Sequence, residues 1–215
     1  MNTLTPHAKH YIEVFKNSFL KDEDYDYFMK WLSHKINHNE SMNKGIIMYS
    51  PGTSYKDFCI DMFKNINPKL CNYSDKTDGK MLFDKYSIIK VHHIDDVIKR
   101  RIEKCYKYNT YECYKMVSNN ENNNEKYSKL IESKNKCDWY ISINNLSLIG
   151  YDSTFINTNF KIIERCPIYK KSELEKCPYA NKILFIEDGF KLFEDDIVSI
   201  YNYIEEYEDE NENWR

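Results

Sequence analysis

Apolar positions along the chain follow two spacings, one typical of amphipathic helices and one typical of short buried strands. Beyond Pro6 a helical spacing runs from Tyr11 to Leu20, and a second helix begins near the carboxylates at 22–24. Short apolar runs bounded by turn residues predict buried strands at 46–49, 88–94, 140–143 and 160–164. Because helices and strands alternate, we expect an α/β fold with a parallel central sheet and flanking helices.

The same pattern divides the chain into four parts. We expect a helical lead-in at 1–44, an α/β core at 45–170, C-terminal helices at 171–204 and an acidic tail at 205–215. Within the core, residues 118–136 are poor in apolar side chains and rich in Asn, Lys and Glu. This composition predicts a long exposed loop or hairpin.

Composition narrows the class of protein. With 41% hydrophobic and 30% charged residues the composition is that of a globular protein. The net charge of −3 creates no overall field that would attract nucleic acid, so binding to nucleic acid requires a local positively charged patch. The seven cysteines are odd in number and include no C-x-x-C pair, which favours reduced thiols and no zinc site. We find neither an apolar run of about 20 residues nor a signal-peptide core, and expect a cytoplasmic protein.

The loop after the first predicted strand is a candidate phosphate site. A strand that leads through a glycine-containing loop into a helix directs backbone N–H groups towards a triphosphate. In the register of the motif G-x-x-x-x-G-K-[ST], Lys56 is the phosphate-binding lysine, and Gly52 and Thr53 lie within the loop. The other three motif positions are occupied by Ser50, Tyr55 and Asp57. The alternative is an ordinary strand-to-helix turn with a solvated lysine.

Polar residues also follow the next two core strands. The run 88–94 ends at Asp95 and Asp96, as a Walker B segment requires: Asp95 would hold Mg²⁺ through water, and Asp96 would polarise the attacking water. Alternatively, Asp95 caps the following helix. The third strand ends at Asn144, at the sheet edge where α/β proteins bind ligands, although asparagine is also common in turns.

Together these segments resemble the superfamily 3 helicase domain of viruses and related elements, particularly the large primase-helicases of cytoplasmic DNA viruses. Residues 27–32 resemble its lead-in helix, 45–58 its Walker A strand and loop, 88–96 its Walker B segment and 139–145 its motif C, with Asn144 as the sensor. The resemblance implies a P-loop NTPase-like fold. The segment 157–164 resembles the strand that normally opens with the arginine finger, but here Thr158 and Asn159 stand where arginines are expected.

In that family the segment between Walker B and motif C forms a hairpin that reaches DNA in the channel of a ring. The matching segment offers Tyr127 for stacking and the lysines Lys126, Lys129, Lys134 and Lys136. Glutamates at 121, 125 and 132 dilute this charge, so a solvated loop is the alternative. A second group of cations, at 99–107 on a predicted helix, would contact phosphates or complement the acidic tail.

The sequence therefore predicts a degenerate superfamily 3 helicase-like nucleotide-binding domain associated with viral or plasmid-type DNA replication, with little or no ATPase activity. Loss of an arginine finger alone slows phosphoryl transfer by about 10³ to 10⁵. We expect ATP and Mg²⁺ to bind weakly at most. The expected partners are DNA, further copies of the chain in a ring or a replication protein, and not a membrane. The alternatives are an active ATP-dependent DNA helicase and a non-enzymatic interaction module with the same fold.

Overall fold

The computed structural model describes residues 4–38, 40–51, 58–73, 87–91, 94, 96–108, 110–117, 127–134, 137–146, 153–170, 184–186 and 190–207. The helices in these residues are α1 (Pro6–Asn17), α2 (Asp22–Asn37), α3 (Phe58–Asp61), α4 (Asp96–Tyr108), α5 (Ser153–Asn159) and α6 (Glu194–Glu205), and a 3₁₀ helix at Met62–Asn65 continues α3. The strands are β1 (Gly45–Tyr49), β2 (Cys71–Tyr73), β3 (Ile88–Val91), β4 (Thr110–Val117), β5 (Tyr127–Lys134), β6 (Asp138–Ile143), β7 (Phe160–Glu164), β8 (Ile168–Lys170) and β9 (Leu184–Ile186).

Within the described residues, five strands form one sheet in the order β2-β3-β6-β1-β7. Every neighbouring pair in it is parallel. At the centre, Ile47 of β1 pairs with Ile141 on one side and with Ile162 on the other. The predicted α/β fold with a parallel central sheet and flanking helices is thereby confirmed.

The sheet is covered by helices on both faces, because alternate side chains of its strands enter two different cores. On one face Ile46 and Met48 pack in a core with residues of α1, α2 and α6. On the other face Ile47 packs in a core with residues of α4 and α5. Burial on both faces explains why the central strands read as continuous apolar runs.

Some elements differ from the sequence-based prediction. The short strand β2 was not predicted, and the helix expected after the β1 loop is described from Phe58 onwards, as α3 followed by the 3₁₀ helix. The segment expected to form C-terminal helices also contains β9, which pairs in parallel with β8. No helix in the described part of the chain is both long and apolar enough to cross a membrane.

Candidate nucleotide-binding edge

The carboxyl ends of β1, β3, β6 and β7 meet at one edge of the sheet, because all four strands run in the same direction. At the last paired level Tyr49 of β1 lies between Ile143 of β6 and Glu164 of β7. In parallel α/β sheets this edge is where ligands bind. We call it the carboxyl edge.

Ser50, the first residue of the candidate phosphate loop, is fixed at this edge. Its N–H donates to the carbonyl of Ile143 at 3.2 Å, and its side chain is buried. Asn144 follows Ile143 directly and is exposed, so the structure brings the start of the loop next to the predicted sensor residue. Tyr49, the residue before Ser50, is fixed on the β7 side, since the N–H of Arg165 donates to the carbonyl of Tyr49 at 2.8 Å.

Several predicted site residues lie outside the described residues. They are Gly52, Thr53, Lys56 and Asp95, together with Tyr55 and Asp57 of the loop. By sequence Lys56 falls between Pro51 and the start of α3, and Asp95 falls between Ile94 and the start of α4. The convergence of Lys56, Asp95 and Asn144 at one edge remains a prediction.

Asp96, the predicted water-polarising carboxylate, is the first residue of α4 and is exposed. A carboxylate at this position favours the helix, because the partial positive charge of the helix N-terminus attracts it. The carbonyl of Asp96 accepts a hydrogen bond from Nε of Arg100 at 3.0 Å. The position of Asp96 is therefore compatible with stabilising the N-terminus of α4 and with the predicted contact to a water molecule.

The helical segment described after the loop consists of α3 and the 3₁₀ helix at Met62–Asn65 that continues it. Residues 52–57, which connect Pro51 to α3 in the chain, lie outside the described residues. The field that a helix N-terminus offers to an anion at this point therefore stays part of the prediction.

Thr158 and Asn159, at the predicted arginine-finger positions, lie at the opposite edge of the sheet. They end α5, and the next residue, Phe160, pairs with Gly45 at the start of β1. Asn159 is buried, and its Nδ2 donates to the carbonyl of Phe155 at 2.8 Å. A five-residue strand separates the two edges by about 16 Å, so a side chain at 158 or 159 is far from the carboxyl edge of its own chain.

The predicted hairpin is an antiparallel pair of strands, β4 and β5, inserted between α4 and β6. It begins eight residues earlier than the sequence indicated, at Thr110 instead of Ser118. Of the four predicted DNA-contacting lysines, Lys129 and Lys134 lie on β5, whereas Lys126 and Lys136 are outside the described residues. Because β6 begins directly after it, this ribbon leaves the sheet at the amino edge, away from the carboxyl edge.

Lys90 and Arg165 are buried cationic residues that were missed at the sequence level. Lys90, in the middle of β3, is buried, and its Nζ lies 2.8 Å from Oδ2 of Asp61. Arg165, just after β7, is also buried; its Nε donates to Oγ of Ser18 at 2.8 Å, and its guanidinium carbon lies 4.3 Å from the ring centre of Phe15. The lysine within the apolar run 88–91 was the visible signal for Lys90.

The chain is an α/β protein with a parallel central sheet and flanking helices, a fold consistent with a P-loop NTPase-like domain. Solved structures of other proteins share this fold. The apo structure of the NrS-1 C-terminal region (305–718) superposes with a TM-score of 0.56 at 16% identity, covering 95% of this chain and 45% of that one. The A-form apo structure of the NrS-1 C-terminal region gives 0.57 at 17% identity, covering 95% of this chain and 44% of that one.

At these identities the likeness concerns the fold alone. The present chain spans less than half the length of the NrS-1 structures that it matches. No protein-family model matches the sequence, and a search of curated proteins finds no relative.

Proposed function

We propose that this chain is a helicase-like nucleotide-binding domain that serves DNA replication of a virus or plasmid-type element and has little or no ATPase activity of its own. The main support is the position of Ser50, whose N–H donates to the carbonyl of Ile143. Because Asn144 follows Ile143 in the chain, this contact supports a site that includes the candidate phosphate loop and Asn144.

In this proposal each predicted residue has a defined task. The backbone at Gly52 and Thr53, together with Lys56, binds the phosphates of ATP, while Asp95 holds Mg²⁺ through water. Asp96 orients water, and Asn144 contacts the terminal phosphate. Binding is weak, because Tyr55 obstructs the close approach of backbone to phosphate and Asp57 adds a negative charge beside it.

Hydrolysis is expected to be slower still. Phosphoryl transfer needs bound phosphates, a bound metal ion and an arginine that stabilises charge in the transition state. Thr158 and Asn159 supply no such cation. The expected steady-state rate is near background.

A fluorescent ATP analogue titrated with and without Mg²⁺ tests this proposal. We expect weak binding that Mg²⁺ strengthens, that Lys56→Ala abolishes and that Asp95→Asn makes insensitive to Mg²⁺. The matched control is Lys69→Ala, because Lys69 is exposed and lies two residues before the start of β2, at the amino edge. Equal losses in both lysine variants, or no binding at all, would reject the nucleotide site and favour an interaction module.

The ribbon formed by β4 and β5 supports the second candidate, an active DNA helicase. It lies between the predicted Walker B and motif C segments, where superfamily 3 helicases carry a DNA-contacting hairpin. Robust ATP turnover that is stimulated by single-stranded DNA and abolished by Lys56→Ala would establish this alternative over a degenerate domain.

A further inference from the structure

Lys90 is a charged residue in the middle of a buried parallel strand. In register it lies between Tyr73 of β2 and Tyr140 of β6. Its side chain is only 4% exposed, and its ammonium group forms an ion pair with Asp61, with 2.8 Å between Nζ and Oδ2. Asp61 is the last residue of α3, the helix that follows the candidate phosphate loop.

A buried ion pair of this kind adds little to the free energy of unfolding compared with apolar residues at the same positions. Removing a lysine from water carries a large desolvation penalty, and an apolar residue of similar size in a core is often as stable or more so. Buried ion pairs nevertheless fix the relative position of the elements that they join, because their energy depends steeply on distance and geometry.

The elements joined here are the ones on which the proposed site depends. Packing already holds the segment after the loop, since Ile60 and Phe63 are fully buried and Phe63 lies edge-on to Tyr201. These apolar contacts attach the segment to α6. The ion pair of Lys90 with Asp61 instead attaches it to β3, the strand that precedes Asp95 and Asp96 in the chain.

We propose that Lys90 is a positioning residue for the nucleotide site: through Asp61 it sets the position of α3, the helix that follows the candidate phosphate loop in the chain, relative to β3. This inference rests on the proposed nucleotide site. Lys90 itself does not contact the nucleotide. Its loss should therefore loosen the segment after the loop and weaken nucleotide binding without unfolding the domain.

The test compares Lys90→Met with Lys161→Met. Lys161 is a matched control, because it also joins a strand to a helix carboxylate on the same face of the sheet: its Nζ lies 2.7 Å from Oδ1 of Asp24. Three quantities are measured: the unfolding midpoint in urea, amide hydrogen exchange of residues 58–65 without nucleotide, and the Kd of the fluorescent ATP analogue with Mg²⁺.

For Lys90→Met we expect exchange at 58–65 and the Kd each to rise about tenfold, the size of coupling common between directly interacting residues. Exchange in β1 and β6 should stay unchanged, and Lys161→Met should alter neither quantity. Asp61→Asn, at a partly exposed position, should reproduce both effects even if Lys90→Met folds poorly, and the double variant should add nothing further.

Unchanged exchange at 58–65 and unchanged Kd in both Lys90→Met and Asp61→Asn would overturn the inference while leaving the nucleotide site intact. A uniform rise in exchange throughout the domain would also overturn it, because that result indicates a purely structural role. Absence of nucleotide binding by the unmodified chain would instead refute the proposed function on which the inference rests.

Discussion

Lys35 and Asp138 form an ion pair in which Nζ and Oδ2 lie 3.0 Å apart and neither side chain is exposed to solvent. Asp138 also accepts hydrogen bonds from Oγ of Ser41 at 2.7 Å and from the N–H of Met42 at 2.8 Å. Lys35 donates in addition to the carbonyl of Glu40 at 2.6 Å. The network joins the end of α2 and the chain leading into β1 to the first residue of β6.

Removing one charge of this pair should be strongly destabilising. We expect Asp138→Ala to lower the free energy of unfolding by about 3–5 kcal/mol, because Lys35 is then buried without its carboxylate. Lys30→Ala breaks a surface pair on the same helix, Lys30 with Asp26 at 2.9 Å, and should cost less than about 1 kcal/mol. Urea unfolding of both variants decides the matter, and similar costs would contradict the prediction.

Gly45 opens β1 at a point where no side chain fits. A Cβ at this position would lie 2.6 Å from the carbonyl oxygen of Trp139 and 2.6 Å from Cε1 of Phe160. Because one obstacle is backbone, relief requires a shift between β1 and β6. We expect Gly45→Ala to destabilise the domain by about 1–3 kcal/mol in thermal or urea unfolding; an unchanged midpoint would show that the strands separate more easily than this packing implies.

Asp196 links the N-termini of two helices and makes stability depend on pH. It accepts hydrogen bonds from Oγ of Thr5, the residue that caps α1, and from the N–H of Phe193, which precedes α6. Burial alone would raise the pKa of Asp196, but these hydrogen bonds and the nearby His7 lower it overall.

Because the folded-state pKa of Asp196 is lowered, its stabilising contribution is complete above the unfolded-state pKa of about 4 and is lost as the pH falls below that value. Asp196→Asn should therefore reduce stability at neutral pH and flatten the loss of stability on acidification. The exposed neighbour Asp195 provides the control Asp195→Asn. Unfolding midpoints between about pH 2 and 7 test this, and parallel curves for all three proteins would contradict it.

Two buried thiols should resist alkylation in the folded protein. Burial raises the pKa of Cys105 to about 12 and holds the pKa of Cys137 well above its usual range. Since the thiolate is the reactive form, N-ethylmaleimide at pH 8 should leave both residues unmodified until urea unfolds the chain. Peptide mapping by mass spectrometry measures the modified fraction of each cysteine. Rapid modification of Cys105 in the native protein would contradict its burial.

Local sequence pattern predicted the central strands because a parallel sheet between two helical layers requires nearly continuous apolar runs. It could not predict β2, since three residues that include Asn72 carry no such pattern and owe their conformation to pairing with β3. Nor could it show that Lys35 and Asp138, 103 positions apart, form an ion pair. Each lysine or aspartate looks like a surface residue until its partner is known.

For the candidate site, chain order predicted that Asn144 and the loop after β1 lie at the same edge, because the topology of a parallel sheet follows from alternating strands and helices. Of this loop the structure describes only the start, where Ser50 contacts Ile143. The burial of Lys90 and Arg165 was not predictable, because each side chain contacts a distant helix: Lys90 contacts Asp61 of α3, and Arg165 contacts Phe15 of α1.

The register of β4 and β5 pairs residues of like charge. Lys115 pairs with Lys129, and Glu112 pairs with Glu132. Since neighbouring positions along a strand alternate between faces, positions 115 and 129 lie on one face, and positions 112, 132 and 134 lie on the other. We therefore expect Lys129 to matter more than Lys134 for contact with a nucleic-acid phosphate backbone.

Labelled single-stranded DNA titrated at low and moderate salt tests this expectation. Binding should weaken steeply as salt rises and show little sequence preference, because it depends on phosphate contacts and counterion release. Glutamate substitutions at Lys126, Lys129, Lys134 and Lys136 together should abolish it, and Lys129→Glu alone should weaken it more than Lys134→Glu. The control carries the same number of substitutions at exposed lysines of the helical layer and β2 turn, Lys9, Lys16, Lys21 and Lys69. No binding at low salt, or unchanged binding by the ribbon variant, would exclude the ribbon as a DNA contact and leave a protein as the partner.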